Sequence, residues 1–254
     1  MELKGETGNE RPAVVLLHST VCDRRMWDAQ VAALEGRYRV LAPDLRGFGD
    51  RPHQPGPFSH AEDVLALLHS EGIERAAIVG SSFGGRVALE VAAVAPARVL
   101  ALVLLCPAYP GLPPTQDVEE LWAEEDRLLT AGETAAAVDL NVRAWLGPEA
   151  SPQAREVVGQ MQARAFELDA AAEALDPAPE PVSVEVEPTG LTMPTLVVRG
   201  GRDLEWFRLI GAHLAERMPR AELVTLDRAG HLPSLERPAE TADLVGSFLD
   251  RSLR

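Results

Sequence analysis

Three residues of this 254-residue chain could together carry out nucleophilic catalysis: a serine in a glycine-flanked turn, an aspartate and a histidine, in that order. Residues 80–85 read GSSFGG, in which Gly80, Ser82 and Gly84 make G-x-S-x-G; Ser81 would need glycine where Val79 and Phe83 stand. A serine hydroxyl is a poor nucleophile near neutral pH and needs a base within hydrogen-bond reach, usually a histidine. Of the six histidines, His69 and His213 lie in helical patterns, His53 and His60 in a polar Pro-rich stretch, and His18 ends the first strong apolar run. His231 alone follows the last apolar run, in RAGHLP, where Gly230 and Pro233 mark a short loop. The imidazole in turn needs a carboxylate to orient it and to stabilise its cation. Asp203, in VVRGGRD after the run before last, fits that place, with Glu205 as a competitor two residues on.

Positioning these groups requires a sheet whose strands end at one edge. Runs rich in Val, Ile and Leu occur at residues 13 to 18, 38 to 43, 76 to 81, 99 to 106, 194 to 200 and 221 to 227. Their unbroken apolarity reads as strands buried on both faces, as in a parallel sheet. Helical patterns at 24 to 35, 61 to 71, 83 to 95, 203 to 217 and 234 to 251 lie between and after them. The alternation predicts an α/β fold, a doubly wound and mostly parallel sheet with helices on both faces. Ser82 then falls on a tight strand-to-helix turn, and His231 and Asp203 follow later strands at the edge where such sheets bind ligands.

The rhythm breaks once, between Pro107 and Met193, where Ala-, Glu- and Leu-rich stretches replace strands. Helices are expected over about 115 to 131, 133 to 146 and 152 to 175, entered through PGLPP (110 to 114) and left through DPAPEPVSVEVEP (176 to 188). The expected organisation is a core of 1–108 and 193–254 interrupted by a helical insertion, 109–192. Trp122 and Trp145 lie on the insertion, either packing it onto the core or lining a substrate cavity.

With 46% hydrophobic and 25% charged residues, the composition is that of an ordinary globule. A formal charge of −15 opposes attraction to nucleic acid or anionic membrane, because phosphate binding relies on Lys and Arg. The expected partner is a small neutral substrate. The opening MELKGETGNERP has no signal-like apolar core and no run of about 18 apolar residues follows, so a cytoplasmic location is expected. Cys22 and Cys106 are too few for a metal cluster or a disulfide framework and are expected to be free thiols.

The order Ser82, Asp203, His231, with LLHST, PDLRGFG, GSSFGG, GGRD and AGHLPSLERP around it, resembles the α/β-hydrolase superfamily over nearly the whole chain. The resemblance is to small members with a helical cap that act as esterases, lactonases or carbon–carbon bond hydrolases. It implies an oxyanion hole formed by the backbone N–H groups of Phe83 and Thr20, a cap role for 109–192, and no metal or organic cofactor. The implied activity is cleavage of a small carboxylic ester or lactone through an acyl-serine. A carbon–carbon bond hydrolase, a cofactor-free perhydrolase or a small-molecule receptor on the same fold are alternatives. Three departures stand out: Ser19 replaces a glycine after the early histidine, Arg51 replaces a serine after G-x-G, and twelve residues before the first strong strand imply a shortened N-terminal hairpin.

Overall fold

The β-branched and leucine-rich runs do assemble into one sheet, and its strand order decides where the chemistry can sit. A computed structural model describes residues 11–253 of the chain; the expected N-terminal hairpin lies outside these described residues. Strands β1 (Ala13–Leu17), β2 (Arg39–Leu41), β4 (Ala76–Ser81), β5 (Val99–Leu105), β7 (Thr195–Gly200) and β8 (Ala221–Leu226) form it, and β3 (Gly56–Phe58) pairs separately with β6 (Pro179–Pro181). The larger sheet runs β2-β1-β4-β5-β7-β8, and every pairing in it is parallel.

The chain leaves β1 toward β2 on one side and later leaves β4 toward β5 on the other. Between β1 and β4 the connections therefore diverge, opening a crevice at the C-terminal strand ends where open α/β sheets bind ligands. The Thr20 loop and Ser82 lie on its two banks.

Helices α1 (Asp28–Leu34), α2 (His60–Ser70), α3 (Phe83–Val94), α7 (Glu205–Arg217), α8 (Pro233–Glu236) and α9 (Pro238–Ser252) cover the sheet. Helix α2 packs on α3, α1 on α9, and both α3 and α9 reach β5. All side chains of β1 and β4 are buried, as continuous apolarity predicts. That expectation fails for β8, where Glu222 and Leu223 are exposed. As the last strand of the sheet, β8 has a neighbour on one side only, and Glu222 pairs with Arg251.

Two further differences have local causes. The helix expected over 234 to 251 is two helices, because Pro238 lacks the N–H that a continuous helix needs and Arg237 before it leaves the helical region (φ −135°, ψ 59°). Between β5 and β7 the structure has helices α4 (Gln116–Thr130), α5 (Thr134–Trp145) and α6 (Pro152–Ala172), and also β6, which pattern reading does not reveal. Three residues with two prolines carry no alternation; the parallel pairing with β3 is closed at its ends by Val182 N–H to Phe58 O (2.7 Å) and Gly56 N–H to Pro177 O (3.2 Å). Among the described residues no helix is long and apolar enough to cross a membrane.

Helix α3 meets β1 at a tight joint. A Cβ on Gly84 would stand 2.1 Å from the carbonyl oxygen of Leu17, which is backbone and cannot step aside. Gly84→Ala should therefore lower the urea midpoint by an amount equivalent to ~1–3 kcal/mol or more, with an unchanged m-value. An unchanged midpoint would mean that helix and strand are not held at this distance.

Candidate active site

The turn from β4 into α3 places Ser82 in a conformation that few residues adopt. Its φ of 50° and ψ of −113° lie in strained territory for a non-glycine residue, and Cys106, at the end of the neighbouring β5, is the other described non-glycine residue with positive φ (44°). The flanking glycines make the turn possible. A Cβ on Gly80 would meet the carbonyl oxygen of Gly84 at 2.2 Å, so no larger residue fits on either side of the serine without moving the backbone. Ser81 is fully buried with no hydrogen-bond partner for its hydroxyl, whereas Ser82 stands at the N-terminus of α3, where the helix dipole favours negative charge.

Backbone hydrogen bonds stitch together the strand ends beyond the regular ladders. Ser82 N–H donates to Leu105 O (2.9 Å), Cys106 N–H to Val198 O (2.7 Å), and Arg202 N–H to Ala229 O (3.0 Å). The line from β4 through β5 and β7 to the loop after β8 thus holds Ser82, Cys106, Asp203 and His231 on one edge. A side chain at Gly200 would collide with Gly230 O at 1.9 Å, which shows how closely the end of β7 meets the histidine loop.

Asp203 and His231 are brought together. His231 Nδ1 lies 3.0 and 2.9 Å from the two carboxylate oxygens, and the pair is almost wholly buried. An ionised carboxylate only accepts, so Nδ1 donates and Nε2 keeps its lone pair, the tautomer of a general base. Asp203 Oδ1 also accepts the Leu204 N–H at 2.8 Å. Glu205 is exposed at the start of α7, with its N–H donated to Asp117 Oδ2 at 3.0 Å. The His231 ring lies between Phe207 and Trp145, with centroids 4.1 and 4.7 Å away. Trp145 is buried, while Trp122 is exposed and meets the edge of Trp206.

Cys106 Sγ accepts the Gly200 N–H at 3.3 Å and lies within 4.8 Å of the ligating atoms of Asp203 and His231. Burial first, then the charge of Asp203, raises this thiol well above its ordinary pKa. A metal ligand must be the thiolate, so the trio fits an imidazole held by a carboxylate better than a metal centre. Cys22 is likewise a buried free thiol pushed well up by burial, and it packs as a small hydrophobe.

Thr20 lies in the turn after β1 that Cys22 N–H closes on Ser19 O (3.1 Å), and Phe83 is the first residue of α3, whose N–H has no intrahelical acceptor. Gly84 against Leu17 O and His18 O brings the start of α3 next to that turn. His18 holds the turn: Nδ1 donates to Ser19 O (2.8 Å) and Nε2 accepts the Leu45 N–H (2.9 Å). Burial lowers its pKa, so it stays neutral in this role. Ser19 is not among the residues with positive φ, so the turn does not need the family's glycine. Arg51 pairs with Asp63 at 3.0 Å, which Arg46 also holds.

One residue escapes the sequence reading. Glu236 is buried in the short α8, and its carboxylate accepts from Gly147 N–H at 2.9 Å, Gly230 N–H at 3.0 Å and Leu232 N–H at 3.1 Å. Its only trace in the sequence is a glutamate five positions after the histidine, a spacing that suggests a helix surface rather than a clasp on the backbone.

Asp203→Asn puts an amide donor where His231 needs an acceptor, selecting the wrong tautomer. In serine proteases that change costs ~10⁴ in kcat, about 5.4 kcal/mol. The same loss per folded enzyme is expected here, against near-normal turnover for Glu205→Gln; the reverse pattern would transfer the role to Glu205.

Known proteins resemble this chain over nearly its whole length. A model of the alpha/beta hydrolase family matches residues 14–244. The chain is 31% identical to a 2-hydroxymuconate semialdehyde hydrolase of Pseudomonas sp. (strain CF600), over 88% of this chain and 80% of that protein. It is also 31% identical to a pimeloyl-[acyl-carrier protein] methyl ester esterase of Methylococcus capsulatus, over 97% and 98%. The enol-lactonase from Burkholderia xenovorans LB400 superposes with a TM-score of 0.78 at 28% identity, covering 97% of this chain and 94% of that one. The chain belongs to the alpha/beta hydrolase family and is a hydrolase of that fold.

Proposed function

We propose that this protein is a serine hydrolase that cleaves a small carboxylic ester or lactone through an acyl-serine intermediate. The observation that carries the reading is the buried Asp203–His231 pair, with Nε2 left basic, on the same strand edge as the strained Ser82. Ser82 Oγ attacks the carbonyl carbon while His231 Nε2 takes its proton. The carbonyl oxygen becomes an oxyanion facing the N–H groups of Thr20 and Phe83, donors each worth ~2.7–4 kcal/mol in such sites. Collapse expels the alcohol, which receives the proton from His231. Water, deprotonated in turn by His231, then releases the acid and restores the serine. Asp203 keeps the ring in register and stabilises its cation throughout. Apart from substrate and water, these steps use protein groups alone.

Residues 109–192 are assigned as a cap over the strand ends. In support, Trp145 faces the His231 ring, and Met161 Sδ accepts the Asp23 N–H (3.4 Å) beside the Thr20 turn. The flanking rings of Trp145 and Phe207 and the charge of −15 favour a neutral substrate over an anionic one. A second reading, carbon–carbon bond hydrolysis at the same residues, is favoured by the relative named for a semialdehyde, a substrate class with no ester bond.

A fluorophosphonate should attach once to the folded protein, with mass spectrometry placing it on Ser82; no adduct, or one on another serine, would remove the mechanism. A panel of p-nitrophenyl esters, lactones and vinylogous diketones then separates the two readings, since turnover of the diketones alone would select the second. Within the ester series, Trp145→Ala should reorder substrate preference while Trp122→Ala leaves it unchanged. Equal losses on every ester, matched by a fall in Tm, would reduce Trp145 to packing.

A further inference from the structure

Asp203 fixes the rotation of the His231 ring, but a ring can be no better placed than the backbone that carries it. The loop from Gly230 to Leu232 has no regular secondary structure, and all three of its N–H groups are nevertheless bound. Gly230 N–H reaches both Glu236 oxygens at 3.0 Å, Leu232 N–H reaches Glu236 Oε1 at 3.1 Å, and His231 N–H reaches the Trp145 carbonyl at 3.1 Å. The third donor to Glu236, Gly147 N–H, comes from the loop after α5, on the insertion.

Two glycines make this clasp possible. A Cβ on Gly147 would stand 2.7 Å from Glu236 Oε2, and one on Gly230 would stand 2.6 Å from Gly147 N and 3.0 Å from Glu236 Oε1. The neighbouring Arg237 does not neutralise the carboxylate; its guanidinium turns to Glu149. The buried charge of Glu236 is thus stabilised by backbone N–H groups, through charge-assisted bonds about twice as strong as neutral ones.

We infer that Glu236 is a positioning residue: by clasping Gly230, Leu232 and Gly147 it sets the place of the His231 backbone and ties it to the insertion. This rests on the serine-hydrolase reading above for its effect on turnover, but not for its effect on the Asp203–His231 hydrogen bond. Glutamine has the size of glutamate and keeps one carbonyl acceptor, but its NH₂ meets amides that are themselves donors, so Glu236→Gln breaks one arm of the clasp without opening a cavity. A misplacement of about 1 Å costs on the order of 10²-fold in rate.

The test measures four quantities on wild type, Glu236→Gln and Glu236→Asp: Tm, kcat and KM for a p-nitrophenyl ester, and the low-field proton resonance of His231 Nδ1–H. For Glu236→Gln the expected result is a folded protein with KM nearly unchanged, kcat lower by ~10²-fold, and the low-field resonance shifted or broadened away. Glu236→Asp keeps the charge and should recover part of both. A lower Tm with kcat per folded enzyme and the resonance unchanged would overturn the inference. Should Glu236→Gln not fold, Gly147→Ala, which presses on Glu236 from the insertion, gives the same readout: loss of the resonance supports the clasp, and an unchanged resonance refutes it. Failure of the serine mechanism is read separately, as absence of fluorophosphonate on Ser82 in the wild type, because the resonance does not depend on turnover.

Discussion

A serine with positive φ survives in a folded protein only when its surroundings leave the backbone no alternative, and here those surroundings are other backbone atoms. Helix α3 starts so close to β1 and β4 that Gly80 and Gly84 cannot carry side chains, and the chain has to turn sharply at Ser82. Such strain costs on the order of 1–3 kcal/mol and persists because the sheet on one side and the helix on the other over-determine it. The same closeness brings the start of α3 against the loop after β1, so one steric constraint positions Ser82, the Phe83 N–H and the Thr20 turn together.

The other half of the site follows from strand order. With β5 and β7 between β4 and β8, Asp203 and His231 reach the same edge as Ser82, and backbone hydrogen bonds past the strand ends hold the loops in sequence across the sheet. Electrostatics then separates the buried groups by task. Cys106 and Cys22 are kept as neutral thiols by burial, and His18 is kept neutral to hold a turn. Asp203 faces one histidine and Glu236 faces only amides. Two buried carboxylates flank the His231 loop, one bonded to the ring and one to the backbone.

How much of this is legible in the sequence depends on whether a residue acts through its side-chain pattern or through backbone. The strands β1, β4 and β5 announce themselves because burial on both faces leaves an unbroken apolar run. Edge strand β8 shares that composition without the burial, and three-residue β6, with two prolines, has no period to detect. Ser82, Asp203 and His231 stand out through chain order, yet order alone left Asp203 and Glu205 two residues apart; the start of α7 separates them by turning Glu205 to solvent. Glu236 is invisible for a deeper reason. Its partners are N–H groups, which every residue but proline possesses, so no side-chain spacing records the contact.

If the strained serine and the Asp203–His231 pair form one catalytic unit, Ser82→Ala removes the group on which the other two act. In enzymes built this way, removing the nucleophile costs about 10⁶ in kcat, leaving only what binding and the oxyanion donors supply. A loss of that order is expected in the hydrolysis of whichever ester the wild type turns over best, with binding of the intact ester retained. Turnover by Ser82→Ala within about tenfold of wild type, a barrier change of only about 1.4 kcal/mol, would contradict it.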